Sequence, residues 1–320
     1  MPKAVFLDLA SVDCDDLDLA GLQATPYQWT FHASTSPEQT LAHIGDADVV
    51  VSNKVVLSKA ILEQSPSVKL ICIAATGTNN VDIPTAKRLG ITVCNVTGYA
   101  TPAVVQHVFA LILALTTRLP DYQRIVADGA WQQSSQFCLL DFPITEITGK
   151  RLGIVGYGEL GQAVARVAQA FGMEVLVAQR PGSNEKANDD RIPMAKLLPQ
   201  VDILTLHCPL SENSRNLIDA EALAQMKPNA LLINTARGGI VDETALREAL
   251  QQGKLGGAGT DVLIQEPPAN GNPLLRDDIP NLIVTPHIAW ASRESRQRLI
   301  NEVTENIQAH LRGDKRNAVT

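Results

Sequence analysis

A glycine-rich turn near the middle of the chain constrains the fold more than any other feature. The turn, Gly156-Tyr-Gly158-Glu-Leu-Gly161, follows the apolar run Arg151–Val155, which is typical of a buried strand. It leads into Gln162–Phe171, where apolar side chains recur at helical spacing. A strand, a G-x-G-x-x-G turn and a helix form the phosphate-binding part of a dinucleotide-binding unit. The flanking strand and helix favour this interpretation over a purely structural turn.

The position of this turn implies a second domain. The chain has 320 residues, enough for two hydrophobic cores, and the turn begins only at residue 156. Short apolar runs alternate with helical stretches on both sides of Arg151, which indicates βαβ units and parallel sheets. We expect strands at Ala4–Leu7, Val49–Val51, Leu70–Ile73, Ile91–Cys94, Leu152–Val155, Val175–Ala178, Ile203–Leu206, Leu231–Asn234, Gly257–Asp261 and Leu282–Thr285.

Two helices are expected where the domains join. Thr101-Pro102 is an N-cap and first-turn pair that opens a helix through about Leu119. The apolar surface of this helix is wider than one stripe, which suggests burial at a domain or subunit interface. A last helix, roughly Ser292–Leu311, is expected to return to the first domain. We therefore predict an α/β protein with two doubly wound parallel-sheet domains, one of residues 101–289 and one of residues 1–100 and 290–320.

Charge and cysteine content narrow the class of protein. A net charge of −7 and a pI near 5.4 argue against nucleic acid or an anionic membrane as a partner. The five cysteines contain no C-x-x-C pair, which is typical of reduced thiols in a cytoplasmic protein. No signal peptide is recognisable, and the apolar stretch Val108–Leu115 is too short to cross a bilayer. The acidic segment Asp13–Asp18 lacks the pattern of a calcium loop, so no metal site is predicted.

Three segments in the second half place reactive side chains at strand ends, where ligands bind in open α/β sheets. Arg237 follows one strand, Glu266 lies in the loop after another, and His287 follows Pro286 at a third. Each alone is most often an ordinary surface or structural residue. Together they supply a carboxylate clamp, an orienting anion and a proton donor. Carbonyl reduction needs this set, because the developing alkoxide must be protonated as hydride arrives.

These motifs resemble those of the D-isomer-specific 2-hydroxyacid dehydrogenase family, and the resemblance covers nearly the whole chain. The glycine turn, Thr235-Ala-Arg237-Gly, Asp261-Val through Glu266-Pro and Thr285-Pro-His287 occur in the family's order. Ala75-Thr-Gly-Thr-Asn-Asn-Val-Asp82 and Asn95-Val-Thr-Gly-Tyr99 match its substrate-domain and hinge segments. The resemblance implies a Rossmann cofactor domain inserted into a discontinuous flavodoxin-like substrate domain, with catalysis in the cleft between them.

Residue roles follow from the resemblance. Arg237 would bind the carboxylate and carbonyl oxygen of the substrate, and His287 would be the general acid in reduction and the general base in oxidation. Glu266 would orient His287 and favour its protonated form. Backbone N–H groups around Thr76 and Gly77 would hold the other side of the carboxylate. Lys54 would reach the same pocket, unless it is simply a solvated loop lysine.

The resemblance also implies which residues hold the dinucleotide, and Asp261 among them would contact the nicotinamide amide. The expected cofactor-binding residues are Gly156, Tyr157, Gly158, Glu159, Leu160, Gly161, Gln179, Arg180, His207, Pro209, Thr235, Ala236 and Asp261.

The sequence indicates the family more strongly than it indicates the nucleotide or the substrate. An NAD-specific site usually has an acid about 20 residues past the glycine turn. Here Gln179-Arg180 stands at that strand tip, which slightly favours NADP(H) over NAD(H), although Gln179 could also accept a ribose hydroxyl. The substrate-domain segments look most like the glycerate dehydrogenase and hydroxypyruvate reductase branch. Trp290 would either cap the pocket or serve as a core aromatic residue.

The resulting hypothesis is a homodimeric, cytoplasmic, NAD(P)-dependent 2-hydroxyacid dehydrogenase. Its substrates would be small 2-oxo and 2-hydroxy acids, namely hydroxypyruvate and D-glycerate or glyoxylate and glycolate. Two alternatives stay open: a corepressor-like protein that senses the nicotinamide dinucleotide, and a related dehydrogenase of a non-hydroxyacid such as phosphite or formate.

Overall fold

A computed structural model describes residues 1–182 and 190–320 and divides the chain into two compact units. Unit 1 is Met1–Ala100 with Trp290–Thr320, and unit 2 is Thr101–Ala289. The strands are β1 (Lys3–Phe6), β2 (Gln28–Phe31), β3 (Val49–Ser52), β4 (Leu70–Ile73), β5 (Thr92–Cys94), β6 (Arg151–Val155), β7 (Glu174–Val177), β8 (Ile203–Leu206), β9 (Leu231–Asn234), β10 (Gly257–Thr260) and β11 (Leu282–Val284).

Helices follow most of these strands in the chain, although none separates β10 from β11 and three lie between β5 and β6. The helices are α1 (Ala20–Gln23), α2 (Thr40–Ile44), α3 (Lys59–Glu63), α4 (Ile83–Arg88), α5 (Thr101–Thr116), α6 (Leu119–Ala127), α7 (Ala130–Gln133), α8 (Glu159–Ala170), α9 (Met194–Leu197), α10 (Ala220–Gln225), α11 (Glu243–Gln251) and α12 (Arg293–Arg312).

Unit 1 contains a five-stranded parallel sheet in the order β2-β1-β3-β4-β5. Strands β3 and β4 are buried along their whole length, because helices cover both faces of a parallel sheet. Helix α12 packs its apolar side chains, including Leu299, Val303 and Ile307, into the core on one face. The other face has its own core, which contains Val50, Ile71 and other apolar residues.

Unit 2 contains a six-stranded parallel sheet in the order β11-β10-β9-β8-β6-β7. The order reverses at β6, because β7 pairs on one side of it and β8 on the other. In open α/β sheets, ligands bind at the carboxyl ends of the strands where the order reverses. The glycine-rich turn directly follows β6 and so lies at this point. The prediction of an α/β fold with two parallel-sheet domains is confirmed.

Strand β2 and the region from the end of α5 onward differ from the sequence-based expectation. Strand β2 was not predicted; it lies at the sheet edge and is at most half-buried. The helix expected to run from Thr101 to about Leu119 ends at Thr116. Arg118 then adopts a left-handed backbone conformation, with φ of 55°, and α6 begins at Leu119 with Pro120 in its first turn. Proline is favoured in a first turn because it lacks the N–H that a helix interior requires.

Candidate active site

The glycine turn has the shape of a phosphate cradle. Gly156 follows β6 with φ of 94°, a conformation that L side chains rarely adopt. A Cβ at Gly156 would lie 2.6 Å from the backbone of His207, and one at Gly161 would lie 2.2 Å from the Gly156 carbonyl oxygen. A Cβ at Gly158 would meet nothing within 4 Å. The first and third glycines therefore pack the turn against its neighbours, whereas the second leaves space for a ligand to approach the backbone.

Helix α8 begins at the end of this turn. Gly158 is its N-cap residue and has no side chain to bond the first N–H groups, which leaves them available to an anion. The side chain of Glu159 is directed to Thr101, whose hydroxyl donates a hydrogen bond of 2.8 Å to its carboxylate. In dinucleotide-binding turns of this kind, the pyrophosphate lies at the helix N-terminus.

Residues 178–182, at the tip of β7, include no acidic side chain. Ala178 is buried, and Gln179 donates its backbone N–H to the Ile192 carbonyl at 2.9 Å. Gln179 is half-buried and Arg180 is exposed. The two side chains at this tip are therefore an amide and a guanidinium, as the sequence implied.

Two buried polar atoms in the segments after β8 and β9 lack hydrogen-bond partners among the described residues. They are the Nδ1 atom of His207, after β8, and the hydroxyl of Thr235, after β9. The Nε2 atom of His207 lies 3.0 Å from the Thr205 hydroxyl. Burial lowers the pKa of His207 from 6.5 to about 4, so the ring is neutral at physiological pH. Unsatisfied buried polar atoms are rare in native proteins, and these two fit a polar ligand such as a dinucleotide.

Arg237 is presented by a turn that Asn234 holds. The Asn234 side chain accepts a hydrogen bond from the Ala236 N–H at 3.0 Å and donates one to the Arg237 carbonyl at 2.9 Å. The Arg237 side chain is exposed, and its Nη1 atom donates to the Ala236 carbonyl at 2.7 Å. A Cβ at Gly238 would lie 2.0 Å from the Leu263 carbonyl carbon. Glycine at this position lets the loop that carries Glu266 approach the Arg237 turn.

Glu266 and His287 form a close pair. The His287 Nδ1 atom lies 2.5 Å from one carboxylate oxygen of Glu266, and the other oxygen accepts the Leu263 N–H at 2.8 Å. Both side chains are about one-third exposed, at 29% and 33%. The backbone of His287 is left-handed, with φ of 56°, a conformation uncommon for a residue other than glycine. Several hydrogen bonds hold the turn in this conformation. In one of them, the His287 N–H donates to the Asp261 carbonyl at 2.9 Å.

Asp261 holds the turn that carries His287. Its carboxylate is 1% exposed and accepts hydrogen bonds from the Thr285 hydroxyl at 2.5 Å and from the N–H groups of Ile288 and Ala289 at 2.9 and 2.8 Å. Sequence reasoning gave Asp261 a contact with the nicotinamide amide and did not anticipate this bracing role. Thr285 was named in the Thr285-Pro-His287 motif, but no role was predicted for it.

Within unit 1, side-chain hydrogen bonds hold the segments that were assigned to the substrate. The Asp8 carboxylate accepts the backbone N–H groups of Asn53 and Lys54 at 2.9 and 2.6 Å. The Thr76 hydroxyl donates to the Val96 carbonyl at 2.8 Å. Asp8 was missed by sequence reasoning, although it lies two residues after β1, at the edge of the sheet where ligands bind in open α/β folds.

Trp290 lies in unit 1 and packs against its core. Its ring makes an edge-on contact with Tyr99, with centroids 6.3 Å apart.

In residues 1–182 and 190–320 no single helix is long and apolar enough to cross a membrane. The bent pair of helices α5 and α6, taken together, has the length and composition of a membrane span. Residues 1–182 and 190–320 also contain no group of three or more His, Cys, Asp or Glu side chains that could hold a metal ion.

Comparison with known proteins assigns the family. The model of the D-isomer specific 2-hydroxyacid dehydrogenase NAD binding domain matches residues 109–289. The chain belongs to this family. It is 44% identical to the glycerate dehydrogenase of Methylorubrum extorquens over 99% of this chain and 98% of that protein. It is 37% identical to the hydroxypyruvate reductase of Blautia hydrogenotrophica over 99% of both chains.

A solved structure has a similar fold over nearly the whole chain. The TT0316 protein from Thermus thermophilus superimposes with a TM-score of 0.87 at 31% identity, over 99% of this chain and 100% of that one. The chain is therefore a 2-hydroxyacid dehydrogenase that uses a nicotinamide dinucleotide. The predictions of the family and of an enzymatic function are confirmed, and the matches favour the dehydrogenase over the sensing protein.

Proposed function

We propose that this dehydrogenase interconverts a small 2-oxo acid and its 2-hydroxy acid, with hydroxypyruvate and D-glycerate, or glyoxylate and glycolate, as the favoured pairs. The observation that carries the proposal is the His287–Glu266 pair, 2.5 Å apart, on loops that approach the Arg237 turn. The names of the similar proteins, glycerate dehydrogenase and hydroxypyruvate reductase, support the choice of substrate.

When bound, the nicotinamide dinucleotide would supply the hydride for reduction at C2 of the substrate, or accept it in oxidation. The open glycine turn and the unsatisfied atoms of His207 and Thr235 fit this group. The residues proposed to hold it are Gly156, Tyr157, Gly158, Glu159, Leu160, Gly161, Gln179, Arg180, His207, Pro209, Thr235, Ala236 and Asp261.

The protein's own groups bind the substrate and manage the proton. Arg237 offers a planar fork of N–H donors that suits a carboxylate and the adjacent carbonyl oxygen. The protonated His287 ring donates its Nε2 proton to the forming alkoxide in reduction and takes it back in oxidation. Because Glu266 binds the Nδ1 side of the ring, Nε2 is proposed as the atom that exchanges the proton with the substrate. Lys54 and the backbone of Thr76–Gly77 are proposed as further carboxylate ligands.

The proposal for the cofactor includes a preference between NADP(H) and NAD(H). Arg180 is exposed at the tip of β7, where a 2′-phosphate would lie, and residues 178–182 include no carboxylate to repel it. These features support a slight preference for NADP(H) over NAD(H).

We propose that one unit binds the dinucleotide and the other binds the substrate. Unit 2 would be the dinucleotide-binding domain, because the NAD binding domain model matches residues 109–289. Unit 1, with Lys54 and Thr76–Gly77, would be the substrate domain.

We also propose that the enzyme is a cytoplasmic homodimer. Unit 2 exposes large apolar side chains in α6, in α7 and in the segment that follows α7. Such an exposed apolar surface supports the proposal that a second copy of the chain covers it. The exposed side chains are Leu119, Val126, Trp131, Phe137, Leu140 and Ile144. The five cysteines are all free thiols, which supports a reducing compartment.

The test is nicotinamide absorbance with purified protein and hydroxypyruvate, with NADH and NADPH in parallel. Glyoxylate, pyruvate, larger 2-oxo acids, phosphite and formate complete the panel. Turnover highest with hydroxypyruvate or glyoxylate is the expected result. Turnover with phosphite or formate alone would replace the proposed substrate. Tight nucleotide binding without turnover of any compound would support the sensing protein instead.

A further inference from the structure

We propose that Asn95 is a positioning residue that sets the direction of the Gly77 backbone N–H. The inference rests on the proposed function, in which the Thr76–Gly77 segment binds the substrate carboxylate. Asn95 directly follows β5, and its side chain is 9% exposed. It does not itself contact the substrate in this proposal.

The contacts of Asn95 join two loops of unit 1. Its Nδ2 atom donates a hydrogen bond to the Thr76 carbonyl at 2.8 Å. In return, the Thr76 hydroxyl donates to the Val96 carbonyl at 2.8 Å, and the Val96 N–H donates to the Ala75 carbonyl at 3.0 Å. The loop after β4 is therefore fixed to the segment after β5 by three hydrogen bonds, and one of them comes from the Asn95 side chain.

The geometry of the peptide group links this contact to the substrate site. The Thr76 carbonyl and the Gly77 N–H belong to the same planar group and point in opposite directions when the peptide is trans. A hydrogen bond that fixes the carbonyl therefore also fixes the N–H. Without it, the short Thr76–Gly77 segment could rotate, because glycine restricts backbone rotation less than any other residue. Asn95 thus holds a donor in the orientation that a carboxylate needs.

Asn95 is itself braced by the end of the chain. The Asn306 side chain, in α12, is buried and donates from Nδ2 to the Asn95 carbonyl at 3.0 Å. Its Oδ1 atom accepts from Arg316 Nη1 at 2.8 Å and from Asn317 Nδ2 at 3.0 Å. The Asn95 N–H donates to the Asn317 carbonyl at 3.2 Å. The carboxyl-terminal segment is therefore connected to the Thr76–Gly77 peptide through two asparagine side chains.

The principal variants are Asn95→Ala, which removes the donor, and Asn95→Asp, which places an acceptor against the Thr76 carbonyl. Thr304→Val is the matched control, because the buried Thr304 hydroxyl bonds only the Ile300 carbonyl within α12. Kinetics would use the 2-oxo acid that wild-type enzyme reduces best. Loss of one buried hydrogen bond should raise KM for this acid roughly tenfold, with a smaller fall in kcat. The Kd for the nucleotide and the Thr304→Val kinetics should stay close to wild type.

Amide hydrogen exchange supplies a readout that does not depend on turnover. In Asn95→Ala, faster exchange is expected in the peptide that covers residues 74–80, while α12 stays protected. Asn317→Gly is a milder variant that removes the side chain and suits the left-handed backbone at this position, where φ is 52°. It should raise KM roughly twofold through Asn306 alone, and it tests the proposal even if the Asn95 variants fail to fold.

The outcomes distinguish a failure of the proposed function from a failure of the positioning role of Asn95. If wild-type protein reduces no 2-oxo acid, the proposed function fails before the role of Asn95 is reached. If wild type is active but KM and the exchange of residues 74–80 are unchanged in the Asn95 and Asn317 variants, the positioning role is wrong. Equal effects of Thr304→Val and Asn95→Ala would likewise reduce the result to a general loss of stability and overturn the proposal.

Discussion

The Thr285 hydroxyl donates a hydrogen bond of 2.5 Å to the buried carboxylate of Asp261. The same hydroxyl lies 2.9 Å from the Nε2 atom of His107 in α5. With the bonds from Ile288 and Ala289, this contact fixes the turn that follows β11. His287 lies inside that turn in a left-handed conformation, so its position depends on the Asp261 carboxylate.

The Thr285→Val substitution should therefore misplace the proposed acid–base residue. It removes the hydroxyl while keeping the side-chain shape, at an expected cost of about 1 kcal/mol in the free energy of unfolding. We expect a larger relative fall in kcat than in nucleotide affinity, because proton transfer depends on the position of the ring. Steady-state kinetics and nucleotide titration would measure both. Thr116→Val, which loses a buried hydroxyl in α5, is the control; equal kcat values in the two variants would contradict this role.

Arg237→Ala should abolish recognition of the substrate carboxylate. Loss of a bidentate, charge-assisted contact is expected to lower kcat/KM for the 2-oxo acid roughly a hundredfold or more. The dinucleotide Kd, measured by fluorescence titration, should remain nearly unchanged, because the proposed contacts of Arg237 are with the substrate. Arg237→Lys should recover only part of the activity, since an ammonium group lacks the planar fork. Arg276→Ala is the control, because that exposed arginine pairs with Asp278. Parallel loss of nucleotide affinity in Arg237→Ala would refute the assigned role.

The sequence predicted the parallel sheets well, because a strand that is buried on both faces appears in the sequence as a continuous apolar run. Strand β3 is an example, with Val49, Val50 and Val51 all buried. The edge strand β2 was missed because Gln28 and Thr30 are exposed and interrupt the apolar run. The end of α5 was missed because the sequence through Leu115 remains apolar, while the break depends on the backbone conformation of Arg118.

For the site, the sequence indicated the residues that we propose to carry the chemistry, but it did not indicate the residues that hold them in place. Arg237, Glu266 and His287 follow strands, and the strand pattern alone brings them to one edge of a sheet. The contacts of Asp8 with Asn53 and of Asn95 with Thr76 join residues far apart in the chain. Such side-chain to backbone bonds have no local pattern, so only the folded structure reveals them.

The proposed homodimer should be disrupted by polar substitutions in the apolar segment after α7. Phe137 and Leu140 are 88% and 82% exposed, so the double variant Phe137→Ser, Leu140→Ser should leave the isolated chain folded while weakening its self-association. Light scattering coupled to size-exclusion chromatography should show wild type as a dimer and the variant shifted toward monomer. Val56→Ser, at an exposed apolar position of unit 1, is the control. A monomeric wild-type protein would disprove the dimer.

The nucleotide preference should be reversible at the tip of β7. Arg180→Ala removes the cation proposed to bind a 2′-phosphate and should lower kcat/KM for NADPH roughly tenfold, with little change for NADH. Gln179→Asp should favour NADH further, because a carboxylate accepts the ribose hydroxyls and repels a 2′-phosphate. The ratio of kcat/KM values for the two nucleotides is the measured quantity. An unchanged ratio in both variants would mean that this strand tip does not select the nucleotide.

His207 should make the stability of the free protein depend on pH below neutrality. Burial lowers its pKa from 6.5 to about 4, so the unfolded chain binds a proton at this ring at a higher pH than the folded protein does. The free energy of unfolding should therefore fall as pH drops from about 6.5 to about 4, by up to about 3 kcal/mol, and this contribution should then level off. His207→Gln cannot titrate, so urea unfolding of wild type and variant across this range isolates the histidine, because all other groups cancel in the difference. A difference independent of pH would show that the folded protein protonates His207 as readily as the unfolded chain does.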